Sequence, residues 1–376
     1  MLPSFAMEQP TPQQITEALG RVIDPELKKP VTELGMVRNV DVDGTHIGVT
    51  IALTVPGCPL RHSFEEQVER ELLPLPGIEK VSLDFDVMSP EEKAALTARL
   101  RGGVNERTKG ISLDRATRVI AVASGKGGVG KSTLTANLAA AFDRLGHRTG
   151  VLDADVYGHS IPHMLGVHHR PVVVDRMIVP PVRDDLKLMS IGFFLDDNAP
   201  VMWRGPMLHR ALEQFLSDVH WGELDLLLVD MPPGTGDVSI SLGQLLPRAE
   251  VVVVTTPQSA AQQVAVRAAQ MARTTNMRLL GAVENMSYLV GSGEELFGSG
   301  GGEALAVELQ VPLLARIPLD PRLRETADHG EPLVWAEPEA EAAVEILRLA
   351  EAIAGVRREE GVGIVKPLPL AGARAR

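Results

Sequence analysis

The 376-residue chain is short of three things, and each shortage excludes a class of protein. It has a single cysteine, Cys58, so no disulfide can form within the chain, and its opening MLPSFAMEQP has no basic stretch followed by an apolar one. Both features point to the cytosol. Long apolar runs are also missing: Leu226–Val229 and Val251–Val254 fall far below the roughly 18 to 20 residues needed to cross a bilayer, and no transmembrane helix is expected. Finally, positive charge is scarce. The 37 Lys and Arg face 49 Asp and Glu, and the net charge of -12 repels phosphate backbones and anionic lipid, so neither nucleic acid nor a membrane surface is expected as a partner.

What is present is the composition of a folded protein, with 44% hydrophobic and 23% charged residues, in a chain long enough for two or three domains. Thr11-Pro12-Gln13-Gln14 reads as a capping box opening a helix that carries Ile15, Leu19 and Val22. Val40 and Val42, then Ile47, Val49, Ile51 and Leu53, alternate on either side of Asp43-Gly44 and predict a hairpin. A helix from Pro59 carrying Phe64, Val68 and Leu72 and a strand over Val81–Val87 complete an α-β-β-α-β order, a small α+β domain over 8–88. Residues 89–116 read as a charged linker holding one helix, from Ser89-Pro90-Glu91-Glu92 to Arg101-Gly102-Gly103. Over 117–356, apolar runs at Val119–Ala123, Gly150–Leu152, Leu186–Ile191, Leu224–Val229, Val251–Val254, Leu279–Val283 and Leu313–Ile317 alternate with helical intervals. That pattern predicts an α/β domain, a mainly parallel sheet covered by helices on both faces. The proline-bearing tail, 357–376, is expected to stay unfolded.

Gly125-Lys126-Gly127-Gly128-Val129-Gly130-Lys131-Ser132 fits G-x-x-x-x-G-K-[ST] between an apolar strand and the helical stretch Leu134–Leu145. The spacing has a chemical reason. Glycines let successive backbone N–H groups point inward at phosphate oxygens, aided by the helix dipole, and Lys131 adds a mobile positive charge. Ser132 is placed to offer its hydroxyl to Mg²⁺, and Asp230, ending an apolar strand, to hold that ion through water.

Lys126 is unusual, since a second lysine beside the first glycine has no phosphate of its own to neutralise. The run Lys126–Thr133 resembles the deviant Walker A of the MinD/ParA/nitrogenase-iron-protein class. Asp153-Ala154-Asp155-Val156-Tyr157-Gly158, Asp230-Met231-Pro232-Pro233-Gly234-Thr235-Gly236-Asp237 and Glu284-Asn285-Met286-Ser287 narrow the resemblance to the Mrp/ApbC iron–sulfur cluster carriers. In the first domain, Asp24-Pro25-Glu26-Leu27, Glu33-Leu34-Gly35 and Gly57-Cys58-Pro59-Leu60 resemble the small metal–sulfur cluster assembly domain often fused to them. Nearly the whole chain is covered, the tail excepted. The resemblance implies a P-loop ATPase that closes as a homodimer around ATP and Mg²⁺. Gly125, Lys126, Gly127, Gly128, Val129, Gly130, Lys131, Ser132 and Thr133 would cradle the nucleotide, with Lys126 reaching that of the partner subunit. Asp155 would orient the attacking water, Asp153 would support it near the metal, and Asn285 would contact adenine opposite the loop Ile317-Pro318-Leu319-Asp320. Asp24 and Glu26 read equally as turn residues around Pro25 and as chemical groups.

One departure from the family bears on the cargo. Most carriers of this kind have a C-x-x-C pair soon after the Asn-Met-Ser segment, and here the stretch is Tyr288-Leu289-Val290-Gly291-Ser292-Gly293-Glu294-Glu295. Without those thiolates the usual bridging site cannot form. Cys58 is the one remaining thiol. Just before Pro59, it suggests a helix N-cap, where the dipole lowers a thiol pKa, against the reading of an inert buried thiol. Two copies in a dimer would offer two cluster ligands. His159, His163, His168 and His169 form another metal candidate, against a solvated loop. The expected function is an ATP-hydrolysing iron–sulfur cluster carrier or scaffold that serves apoprotein clients and meets other assembly proteins. The alternatives are a MinD/ParA-like positioning ATPase and a cluster-free, nucleotide-switched client-binding protein.

Overall fold

Two hydrophobic cores organise the computed structural model, which describes residues 9–56, 60–100, 113–156, 158–194 and 205–356. The first core belongs to the small domain: α1 (Pro12–Leu19), α2 (Val31–Leu34), β1 (Val37–Asp43), β2 (His46–Leu53), α3 (Arg61–Leu72) and β3 (Lys80–Val87). The Thr11 side chain accepts from the Gln14 amide while Gln14 accepts from the Thr11 amide, the expected capping box. β1 and β2 form the expected antiparallel hairpin through Asp43↔His46. α3 then carries the chain across so that β3 joins β2 in parallel, giving sheet order β1-β2-β3. Alternation in β2 buries Ile47, Val49 and Ile51 against Phe64, Val68 and Leu72 of α3. The sequence gives no sign of α2, whose single turn is too short to show periodicity.

Helix α4 (Pro90–Leu100) falls within the expected linker, and it packs. Leu96 is buried in the first core, so the small domain's packing reaches past residue 88. The expected glycine terminator at 102–103 lies outside the described residues, as does the tail over 357–376.

The second domain runs β4 (Arg118–Ser124), α5 (Lys131–Arg144), β5 (Thr149–Asp153), α6 (Ile161–Met164), β6 (Val172–Val174), β7 (Met177–Val179), β8 (Val182–Arg183) and β9 (Leu186–Ser190). It continues through α7 (Gly205–Ser217), β10 (Leu226–Asp230), α8 (Asp237–Leu245), β11 (Glu250–Thr255), α9 (Ser259–Thr274), β12 (Arg278–Leu289), α10 (Gly301–Leu309), β13 (Leu313–Leu319), α11 (Pro321–Asp328), α12 (Leu333–Ala336) and α13 (Glu341–Gly355). The sheet has order β13-β12-β11-β4-β10-β5-β9-β8 and is parallel except at β8, which pairs antiparallel with β9. All seven expected strands are present, and their continuous apolar character follows from burial on both faces. The alanines of α5, Ala136 and Ala139–Ala141, let that helix sit close against the sheet. The small hairpin β6–β7 was not expected, and its Val174, Met177 and Val179 are buried in the core of the first domain rather than the second.

Candidate functional site

In a parallel sheet, ligands gather at the carboxyl ends of the strands, and the chemistry of this chain converges there. β4 is central, β10 pairs with it on one side, and β5 pairs with β10 so that Asp230 and Asp153 lie in register at the two strand ends. The loop after β4 is fixed by its neighbours. A Cβ on Gly125 would overlap the backbone of Val264 and Ala265 in α9, and Gly130 has a left-handed φ of 78° where a side chain would run into Asn285. Asn285 Nδ2 donates to the Val129 carbonyl at 2.8 Å, tying β12 to the loop. The Gly234 amide donates to the Ser124 carbonyl at 2.9 Å and brings the segment after β10 alongside.

Around the loop lies a cleft lined by Lys126, Gly127–Thr133, Asp155 and Pro233. At its floor Lys131, 6% exposed, extends Nζ to 2.7 Å from Asp230 Oδ2 and 3.5 Å from Asp155 Oδ2. Ser132 Oγ donates to Asp230 Oδ2 at 2.6 Å, and Thr135 Oγ1 donates to Asp230 Oδ1 at 2.9 Å. Thr135 is a site residue that sequence reasoning missed. Its only signal is its place one turn after Lys131, whose carbonyl it also engages. Asp153 uses both oxygens within the protein: Ser190 Oγ donates to Oδ2 at 2.9 Å and the Asp155 amide to Oδ1 at 3.2 Å. It therefore holds the turn that carries Asp155.

Asp153 and Asp230 are both fully buried. Burial pushes the Asp153 carboxyl well above the usual range, and repulsion from Asp230 adds to it. Burial also pushes Asp230 up, against the pull of Lys131 and the two hydroxyls. Asp230 beside the Ser132 and Thr135 hydroxyls offers oxygen donors only, the hard ligand type that suits Mg²⁺, while both Asp153 oxygens are taken up within the protein.

A second cleft joins the first at Gly130 and Thr133 and is walled by Met164, Asn285, Pro318, Leu319 and Leu323. The expected loop Ile317–Asp320 thus lies opposite Asn285. Asp320 also lines this cleft and caps α11, accepting from the Arg322 amide at 3.0 Å, while Pro318 and Leu319 form the apolar wall. β12 runs on past Val283 to Leu289, so Asn285 sits within the strand rather than at its end. Half-exposed Lys126 makes no ion pair among the described residues.

Gly125–Thr133, Asp153, Asp155, Asp230 and Asn285 are therefore brought together at the carboxyl end of the sheet. Cys58 and Tyr157 lie outside the described residues. Among the described residues no three His, Cys, Asp or Glu side chains are grouped to hold a metal, so the four histidines of 159–169 do not form a centre. Asp24 is a turn residue, its Oδ1 accepting from the amides of Glu26 at 2.9 Å and Leu27 at 2.8 Å. No helix among the described residues is long and apolar enough to cross a membrane.

Comparison with known proteins agrees with this geometry. Residues 115–354 match the family model of the NUBPL iron-transfer P-loop NTPases, and residues 12–84 match that of an iron–sulfur cluster assembly protein. The chain is 51% identical to an iron–sulfur cluster carrier protein of Mycobacterium tuberculosis over 356 residues, 92% of this chain and 93% of that protein. It is 41% identical to the Bacillus subtilis protein of the same name, over 81% of this chain and 87% of that protein. Among solved structures, a nucleotide-binding protein of Archaeoglobus fulgidus in complex with ADP is similar at 38% identity and a TM-score of 0.50, over 60% of this chain and 93% of that one. The septum site-determining protein MinD of Pyrococcus horikoshii, complexed with Mg-ADP, is similar at 26% identity and a TM-score of 0.50, over 64% of this chain.

Proposed function

Because the chain belongs to the family of NUBPL-type iron-transfer P-loop NTPases, we propose that it is a cytosolic, Mg²⁺-dependent ATPase that carries iron–sulfur clusters to apoproteins as a homodimer. The observation that carries this reading is the buried cluster of Lys131, Ser132, Thr135, Asp155 and Asp230 under the glycine loop. Phosphoryl transfer asks a protein mainly for positioning and charge neutralisation, and these residues supply both. Lys131 exchanges its carboxylate partners for phosphate oxygens when ATP enters, and the amides of Gly127–Ser132 close around the β-phosphate. Losing Lys131 frees Asp155 to orient the attacking water, while Asp153 holds the Asp155 turn through its amide. Ser132 and Asp230 are the residues that would hold Mg²⁺, which when bound would supply positive charge to the phosphate oxygens. Gly130, Asn285 and the Pro318–Leu319 wall receive the nucleoside. Lys126, half-exposed at the mouth, reaches the nucleotide of the second subunit. The likeness to MinD covers the ATPase fold, and nothing in this site favours a positioning role over a carrier role.

The cargo is held elsewhere. The stretch after Asn285 continues β12 to Leu289 and then turns at Gly291–Gly293, with no thiol in it. Cys58 of each subunit therefore supplies two of the four usual ligands, and a client or another assembly protein supplies the rest. One assay separates the nucleotide roles. Lys131→Ala should abolish binding of ATP measured by calorimetry. Lys126→Ala should retain binding but lose most Mg²⁺-dependent hydrolysis. If Lys131→Ala bound ATP like the parent, the site assignment would be wrong, and equal loss of binding in both variants would remove the role of Lys126 across the dimer.

A further inference from the structure

The two domains meet through the described residues 158–185, and these, with Asp155 just before them, also touch both ends of the nucleotide site. Asp155 stands 3.5 Å from Lys131. Met164, at the end of α6, lines the nucleoside cleft, and α6 packs on both α5 and α11, the two helices that frame that cleft. Arg183 Nη1 then ties the stretch to its surroundings, donating to the carbonyls of Leu165 at 3.3 Å and Gly330 at 3.5 Å.

Further along, the same stretch is embedded in the first domain. The hairpin β6–β7 buries Val174, Met177 and Val179 in a common core with Met36, Phe64 and Leu96. Thr97 Oγ1 donates to the Val174 carbonyl at 3.4 Å, and Lys28 Nζ donates to the Asp184 carbonyl at 2.8 Å and to Asp185 Oδ1 at 2.6 Å.

One contact across this seam is incomplete. Glu26 Oε1 and His169 Nε2 face each other at 3.7 Å, both buried and both without a hydrogen-bond partner. Two donors are too few for a metal, and among the described residues no third joins them. Burial, then Asp24, pushes the Glu26 carboxyl up to about 8, while burial pushes His169 down, so both shifts favour the uncharged forms, which can pair as an O–H donor and a nitrogen acceptor. Closing the gap by less than about 1 Å would make that bond. Buried polar groups left unpaired cost free energy, so a docking geometry that pairs them is favoured over one that does not.

Resting on the nucleotide-site reading above, we infer that residues 158–185 are a lever that couples nucleotide occupancy to the docking of the small domain, with Glu26 and His169 as the contact that closes or opens. When Lys131 turns to phosphate, Asp155 is released just before the lever. The nucleoside displaces Met164 in the middle, and the hairpin transmits the shift because it is packed as part of the small domain's core. Packed interfaces of this kind are bistable rather than continuously deformable, which turns a sub-ångström shift into a change of docking. Such coupling is reciprocal: whatever nucleotide does to docking, docking does to nucleotide affinity.

Hydrogen–deuterium exchange on the full chain tests this, with no nucleotide, with Mg-ADP, and with a non-hydrolysable ATP analogue plus Mg²⁺. The expected result is that nucleotide changes exchange not only in 125–135 and 158–165 but also in 22–31, 93–100 and 172–185. Met177→Asp, which places a carboxylate in the shared core, should leave the response of 125–135 in place, abolish that of 22–31 and 93–100, and shift the Kd for ADP about fivefold or more. Where that variant does not fold, Lys28→Ala at the exposed edge of the seam should reduce the response of 22–31. A nucleotide response confined to 125–165 in the parent would overturn the coupling, as would an unchanged ADP Kd in folded Met177→Asp. No response even at 125–135 would instead strike the nucleotide-site reading.

Discussion

At the scale of single residues, the site was legible where chemistry forces a fixed spacing and illegible where partners are distant in sequence. Gly125–Ser132 announces itself because phosphate binding needs consecutive amides, and Asp230 because it ends a buried strand. Thr135 carries no such mark: a threonine inside a helix is ordinary, and only the fold brings it to within 2.9 Å of Asp230. Glu26 is a similar case, buried with His169 3.7 Å away, a neighbour no local pattern could show. That burial has a measurable consequence. The native Glu26 carboxyl is pushed up to about 8, from 4.5 in the open chain, so the native state holds a proton that the unfolded state has lost between those values. Stability from this group is thus present at pH below 4.5 and is lost as pH rises towards 8, by up to about 1.4 kcal/mol per pH unit. Glu26→Gln, which cannot ionise, should lose none of it. Thermal denaturation from pH 5 to 9 should therefore show the variant gaining on the parent as pH rises, and a constant difference would mean that Glu26 is not held protonated.

At the scale of elements, the seven long strands of the second domain and the α-β-β-α-β order of the first were readable from period and turn chemistry. The single turn of α2, the hairpin β6–β7 and the packing of α4 were not. The hairpin β6–β7 has three residues in each strand, too few for alternation to register, and its apolar side chains point into a different domain. Helix α4 was expected as a helix but within a charged linker, since its first turn carries Glu91 and Glu92 and only its inner face is apolar. The structure buries Leu96 and Thr97 of that face between the first domain and the hairpin. Leu96→Ala should accordingly destabilise the small domain by about 2 to 5 kcal/mol, the cost of emptying a packed core position. A denaturant titration followed by a probe in residues 9–100 would check this, and a loss below about 0.5 kcal/mol, typical of a surface change, would mean that α4 is only a tether.

At the scale of the whole molecule, the chain joins a nucleotide engine to a small domain that carries its only thiol, and the function lies in the combination. The engine's glycine loop and Asp230 stand out in its motifs, while Thr135 does not. The cargo site could not be read, because the family's paired cysteines are absent and Cys58 alone cannot complete a cluster. On the proposed reading, a homodimer with two Cys58 thiolates and ligands lent by a client would make a labile site, which is what a carrier needs in order to release what it holds. The most direct measurement is iron and sulfide content after anaerobic reconstitution of the full chain and of Cys58→Ser, followed by incubation of each with an apo-ferredoxin. The account predicts that the parent takes up iron and sulfide and passes them to the acceptor, and that Cys58→Ser does neither. Stable loading of Cys58→Ser would contradict the ligand assignment, and a parent that neither loads nor transfers a cluster would contradict the carrier function itself.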